Sequence, residues 1–269
     1  MSNIQGKSVV FIGAGGLAWS LSCALHAAGI RVIQIVSPNI LNGQALAQKL
    51  GATHATSFKD IARADFYFLA LPDRVIESVA KSISFPPNAF VVHSSGSISL
   101  SVLATLFPRA GVLYPLQTFT RGRVISLGKV PVFVEAATEQ SLSIITTLAS
   151  TITTNVIAIN SEQRRNLHLA GVIANNFTNY LLELGDEWME ANGFSLHLLQ
   201  PLMDETVKKA FEVSPSLSQT GPASRLDTSV VETHLKMLAN MPELQKLYGV
   251  FSDSIIAKTK LRNYNDTEK

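Results

Sequence analysis

Short apolar runs alternate with longer mixed stretches through residues 1–159. Runs at 9–12, 32–36, 65–71, 90–93, 111–114, 130–134 and 155–159 suit buried strands. Between them, 17–28, 41–50, 74–82, 101–106 and 138–150 read as helices, and 58–64 as a short one. Gly29 and Gly51 sit where the first two helices should stop. Strands alternating with helices predict a mostly parallel sheet. After Asn160 the pattern changes. Residues 160–192 carry an apolar stripe at helical spacing, Leu167, Ala170, Ala174, Phe177, Leu181, Leu184 and Trp188. A second stripe, His168, Val172, Asn175 and Asn179, falls on one face of the same helix. Asn160 or Ser161 suits its start and Gly193 its end. Further helices are predicted over 197–211, 228–237 and 242–261, with no strand among them. The expected fold class is α/β: a mostly parallel sheet domain over 1–159, then an all-helical domain over 160–269.

With 269 residues, 46% of them hydrophobic, the chain is large enough for two cores. A net charge of +2 without basic or acidic blocks gives no reason to expect a nucleic-acid partner. A single cysteine, Cys23, allows neither an internal disulfide nor a zinc cluster, and no metal is expected. The first residues lack a charged segment followed by an apolar one. The apolar run at 66–71 is too short to span a bilayer, so no membrane partner is expected. These features predict a soluble cytoplasmic protein.

The candidate chemistry begins after the first strand. Gly13, Gly15 and Ala18 have the G-x-G-x-x-A spacing of a dinucleotide-binding turn, which points to a Rossmann-type domain. Gly13 allows the tight turn, Gly15 lets a pyrophosphate approach, and Ala18 lets helix and strand pack closely. The backbone at Ala14, Gly16 and Leu17 would offer N–H groups to the phosphates. Ser37 ends the second strand where an acid would bind the ribose of NAD. Its small polar side chain favours NADP, although no arginine partner follows it and NAD stays possible. In open parallel sheets, ligands sit beyond the carboxyl ends of strands. Leu71, Pro72 and Ser94 fall there as cofactor contacts, and Ser95 and Gln117 as substrate contacts. On the long helix, His168 and Asn175 are candidate catalytic residues, and Asn176 a candidate substrate contact. Arg225 either binds an anionic substrate group or pairs with Asp227 in its own loop.

Several segments together carry a family likeness: the glycine turn, Leu71-Pro72-Asp73, His93-Ser94-Ser95-Gly96-Ser97, Tyr114-Pro115-Leu116-Gln117-Thr118-Phe119 and Gly221-Pro222-Ala223-Ser224-Arg225. In this order they resemble Rossmann-like proteins with a DUF2520 C-terminal domain, described as NADP oxidoreductases of the coenzyme-F420-dependent type. The chain is more distantly similar to pyrroline-5-carboxylate reductase and the β-hydroxyacid dehydrogenases. The resemblance implies a helical domain like the C-terminal part of 6-phosphogluconate dehydrogenase, and a homodimer built through it. Two departures stand out. Relatives often have His-Pro where this chain has Tyr114-Pro115, and Arg-Gly-Asp where it has Arg225-Leu226-Asp227. β-Hydroxyacid dehydrogenases use a lysine on the long helix, whereas residues 161–192 contain none. His168 is the residue there with a suitable pKa for proton delivery. No tyrosine has a lysine four residues later, which excludes a short-chain dehydrogenase. Two functions follow as expectations. One is an NADP-dependent oxidoreductase acting on a small polar carbonyl or imine in a cleft between the domains. The other is a non-catalytic dinucleotide-binding sensor or interaction protein.

Overall fold

The computed structural model describes residues 4–267, which form two compact units divided between Phe177 and Thr178. In the first unit the elements run β1 (Ser8–Ile12), α1 (Gly16–Ala27), β2 (Arg31–Val36), α2 (Ile40–Leu50), β3 (Thr53–Ala55), β4 (Phe66–Leu69), α3 (Asp73–Ser82) and β5 (Phe90–His93). They continue with α4 (Ser101–Ala104), β6 (Ala110–Pro115), β7 (Val132–Ala136), α5 (Glu139–Ala149), β8 (Val156–Ala158) and α6 (Ser161–Gly171). The strands make one sheet in the order β3-β2-β1-β4-β5-β6-β7-β8. Every neighbouring pair is parallel except β6 with β7. The α/β class is as the alternating pattern predicts.

Alternation along the strands builds the two faces. From β1, Val9 and Phe11 join Leu21, Leu46, Phe68 and Ile145 in one core layer. Val10 and Ile12 join Tyr67, Ile76, Val91 and Leu103 in the other. Strands covered on both faces read as continuous apolar runs, as β1, β4 and β5 do. Phe11 and Phe68 stack across neighbouring strands with ring centroids 5.0 Å apart.

Residues 58–64 are not a helix. Their backbone is taken up by tertiary partners: Ala62 N–H donates to Gln34 Oε1 at 2.7 Å, and Ala64 N–H to Tyr67 Oη at 2.8 Å. The Tyr67 hydroxyl in turn donates to Ala62 O at 3.1 Å. The three-residue edge strand β3 has too little apolar sequence to announce itself.

The helical pattern after Asn160 is present but interrupted. A π turn over Val172–Asn176 separates α6 from α7 (Phe177–Ala191). The first unit therefore takes in residues 160–177, which the sequence pattern groups with the helices. The second unit holds α7, α8 (Gln200–Glu212), α9 (Pro215–Ser218), α10 (Thr228–Met237) and α11 (Pro242–Thr267). A 2.7 Å bond between His234 Nδ1 and Tyr248 Oη ties α10 to α11. Among the described residues no helix is long and apolar enough to cross a membrane.

Candidate functional site

The site is assembled at the carboxyl ends of β1, β4, β5 and β6. At the first, Gly13 has φ +113°, and a Cβ there would stand 2.1 Å from Ala70 O at the end of β4. Only glycine fits that turn. Gly15, by contrast, has open space around it: nothing lies within 4 Å of a Cβ position. It is the N-cap of α1, whose first turn holds no acidic residue and whose cap makes no side-chain hydrogen bond. The N–H groups there are left for an external acceptor. Ala18 is fully buried against the sheet, as the spacing predicts.

A single loop joins this turn to a cavity. After β6 the chain passes Leu116, Gln117 and Thr118, and the Phe119 carbonyl then lies over α1, 2.5 Å from a Cβ position at Gly16. The cavity has a volume of about 350 Å³, and its polar walls are Tyr114, Gln117, Thr118, His168, Asn175 and Asn176. It lies between the end of β6 and the α6–π-turn segment, within the first unit. Four predicted residues thus come together: Gln117, His168, Asn175 and Asn176. The π turn adds a residue to the helical repeat, so the adjacent Asn175 and Asn176 both line the cavity. Asn175 Nδ2 donates to Asn176 Oδ1 at 3.0 Å.

Helix α6 starts at the cap the sequence pattern offers and is anchored by a buried ion pair that the sequence reading did not single out. Asn160 and Gln163 form a reciprocal cap, with both bonds at 2.9 Å. One turn on, Arg164 is fully buried. Its guanidinium pairs with Glu135 Oε2 and donates to Ile98 O. The Ser161 hydroxyl bonds the two Glu135 oxygens at 2.8 and 2.9 Å. His168 follows Arg164 by four residues, hence on the same helix face. Its ring sits against Gly96, where a Cβ would stand 2.5 Å from Nδ1. Tyr114 Oη lies 3.0 Å from the same Nδ1. Burial pushes the Tyr114 hydroxyl pKa up.

Other predicted residues take different places. Ser37 is buried, and its Oγ accepts from Asn39 N–H at 3.3 Å, holding the turn into α2. Ser95 Oγ accepts from the N–H groups of Ser97 and Ile98 at 3.1 and 3.0 Å, so this side chain shapes the turn after β5. Leu71 is half-buried beside Gly13, and Pro72 is exposed as the N-cap of α3. Ser94 is buried, and its Oγ has no hydrogen-bond partner among the described residues. Arg225 lies on an exposed turn of the second unit. Its neighbour Asp227 caps α10 through Val230 N–H at 3.2 Å. Among the described residues no group of three or more His, Cys, Asp or Glu is arranged to hold a metal.

Comparison with known proteins fits this geometry. The description "NADP oxidoreductase coenzyme F420-dependent" matches residues 8–96, and DUF2520, a domain of unknown function, matches 130–255. A Bacteroides fragilis structure named a putative NADP oxidoreductase is 35% identical, spanning 95% of this chain and 100% of its own, with a TM-score of 0.90. The chain belongs to this DUF2520-bearing NADP oxidoreductase family. A Thermotoga maritima protein is 25% identical over 95% of this chain and 99% of its own, at a TM-score of 0.69. Pyrroline-5-carboxylate reductase from Streptococcus pyogenes shares the fold at 14% identity, covering 94% and 99% of the two chains, with a TM-score of 0.61. No curated protein matches the chain.

Family membership indicates an oxidoreductase that depends on a nicotinamide dinucleotide. The residues present fit that group. Gly15 leaves room for a pyrophosphate at an uncapped helix start, and Ser94 offers a buried hydroxyl with no partner among the described residues.

The fully buried His93 gives the site edge a pH limit. Burial and the charge of Arg164 lower its pKa from 6.5 to about 3, against the opposing influence of the Ser99 backbone and Asp73. Ser95 N–H donates to its Nδ1 at 3.2 Å. In the unfolded chain His93 takes up a proton near pH 6.5, whereas in the fold it stays neutral. Stability is therefore complete above pH 6.5 and falls as pH drops from there toward 3, by up to ~1.4 kcal/mol per pH unit. His93→Asn, which keeps an acceptor for Ser95 N–H, should flatten this slope in urea denaturation between pH 6.5 and 4. Parallel wild-type and variant curves would refute the assignment.

Proposed function

We propose that this chain is an NADP-dependent oxidoreductase that transfers hydride to or from a small polar carbonyl or imine. The observation that carries the reading is the loop after β6. Its Gln117 and Thr118 side chains line the cavity, and its Phe119 backbone covers Gly16. A dinucleotide with its pyrophosphate at Gly15 would reach the cavity with its nicotinamide half, passing Leu71, Pro72 and Ser94. When bound, that ring supplies or accepts a hydride at carbon. In the reducing direction His168 gives the balancing proton to the substrate oxygen or nitrogen, in the oxidising direction it takes that proton up, and Asn175 and Asn176 orient the polar group. Ser37 favours NADP because no carboxylate stands at the end of β2 to oppose a 2′-phosphate.

Titration with NADPH and NADH tests the cofactor assignment. Gly15→Val should weaken NADPH binding at least tenfold, about 1.4 kcal/mol. Ser37→Asp should reverse the preference by placing a carboxylate near the 2′-phosphate. Unchanged affinity in a folded Gly15→Val protein, or tighter NADH than NADPH binding in the wild type, overturns it.

The catalytic role is tested on a panel of carbonyls and imines with NADPH. His168→Ala should cut turnover roughly a hundredfold, as expected for a lost general acid. Full activity in the variant ends that role. NADPH binding with no turnover across the panel favours the sensor.

We infer that the active species is a homodimer. In this chain α8 has no buried residue, yet it carries Leu202, Val207 and the 90% exposed Phe211. A helix gains most of its stability from a packed apolar face, and a second copy is the commonest cover for one. Phe177 and Leu181 are exposed as well, whereas Leu184 of the same stripe is buried within the chain. Light scattering should give twice the chain mass; a monomer at micromolar concentration rules the dimer out.

A further inference from the structure

The cavity contains a pair that the general-acid reading leaves unused. The Tyr114 hydroxyl lies 3.0 Å from His168 Nδ1. The two rings meet edge to face at 6.0 Å and 75°. Both partners are held from behind. Tyr114 pairs with Phe133 across the β6–β7 ladder and stacks on its ring at 6.4 Å. His168 rests on Gly96 and lies one turn beyond the buried Arg164. Among the described residues nothing bonds Nε2, while His168 lines the cavity with Gln117, Asn175 and Asn176.

We propose that Tyr114 is a positioning residue that keeps His168 with a proton on Nε2, the nitrogen left for the cavity ligand. The inference rests on the oxidoreductase reading for its purpose, but not for its chemistry. A phenol O–H is a better donor than a neutral imidazole N–H, and an imidazole nitrogen is a better acceptor than a phenol oxygen. In neutral His168 the phenol therefore donates to Nδ1, and the ring proton must sit on Nε2. In protonated His168 the direction reverses. Nδ1–H then donates to the phenol oxygen, and Nε2 still carries its proton. The cavity thus meets an N–H donor whether the histidine is neutral or protonated. A fixed donor aimed where negative charge develops on a reduced carbonyl or imine is the arrangement that lowers such a barrier. Of the charges around Tyr114, Arg164 from α6 favours a phenolate and Asp73 from α3 opposes it, while burial keeps the phenol protonated. The hydroxyl therefore remains available as a donor when His168 is neutral.

The test uses the full-length chain labelled with ¹⁵N. Long-range ¹H–¹⁵N correlation spectra report which imidazole nitrogen is protonated, and His168→Gln identifies the His168 signals. In the wild type, with His168 neutral, we expect the unaveraged shifts of the Nε2-protonated form. In Tyr114→Phe, which keeps the ring and removes only the hydroxyl, both nitrogen shifts should move toward the averaged values of free histidine. A wild-type proton on Nδ1, or shifts unchanged in Tyr114→Phe with its melting transition intact, overturns the proposal whatever the activity. If the shifts behave as expected but His168→Ala turns over substrate normally, the pair stands and the general-acid reading is what fails.

Discussion

The buried guanidinium of Arg164 is the contact on which the site depends. Taking such a charge out of water costs several kcal/mol unless it is paired and fully bonded. Here Glu135 from β7, the Ile98 carbonyl after β5 and the Ser161 hydroxyl bond its two terminal nitrogens, while Nε has no partner among the described residues. Two of these partners, Glu135 in β7 and Ile98 after β5, lie outside α6, so its arginine ties the helix to two parts of the first unit. That contact holds α6 in place within the first unit. Removing the carboxylate would leave an uncompensated charge in the interior, which is why a pair of this kind specifies a position more strongly than it adds stability.

From that anchor the cavity follows by geometry. One turn beyond Arg164, His168 comes down on Gly96, whose missing Cβ makes space for the ring. One further turn brings the π segment, which presents Asn175 and Asn176 side by side. The opposite wall is Leu116, Gln117 and Thr118 of the loop after β6, which goes on to pack so closely on Gly16 that a side chain there would collide with Phe119. Three glycines with different duties thus shape the site. Gly13 turns the chain, Gly16 admits the loop, and Gly96 admits the histidine. Gly15 alone among the motif glycines faces open space, which is where a ligand's phosphates need the backbone bare.

The two halves of the chain differ in how they reach stability. The sheet unit has a buried core layer on each face of its central strands. The second unit holds a cavity of about 290 Å³ lined by Trp188, His234, Met237 and Tyr248, and it leaves α8 without any buried residue. A unit built this way leaves apolar surface uncovered; the sheet unit exposes some as well, at Leu41, Leu169, Ile173 and Phe177.

Much of this was determined by local sequence. Apolar runs bounded by glycine set the strands, because a strand covered on both faces needs them. The G-x-G-x-x-A spacing set the turn, because backbone conformation and close approach at Gly13 admit no side chain. Residues far apart in sequence are a different matter. Residues 58–64 have helical composition but surrender their N–H groups to Gln34 and Tyr67. The burial of Arg164 and the bond from Tyr114 to His168 join positions 29 and 54 residues apart. No local pattern encodes such partners. The sequence alone supplied the fold and the ligand-binding turn, since both are governed by backbone and periodicity. Which polar side chains remain free to do chemistry was decided only by tertiary structure, since that depends on which of them already have a partner.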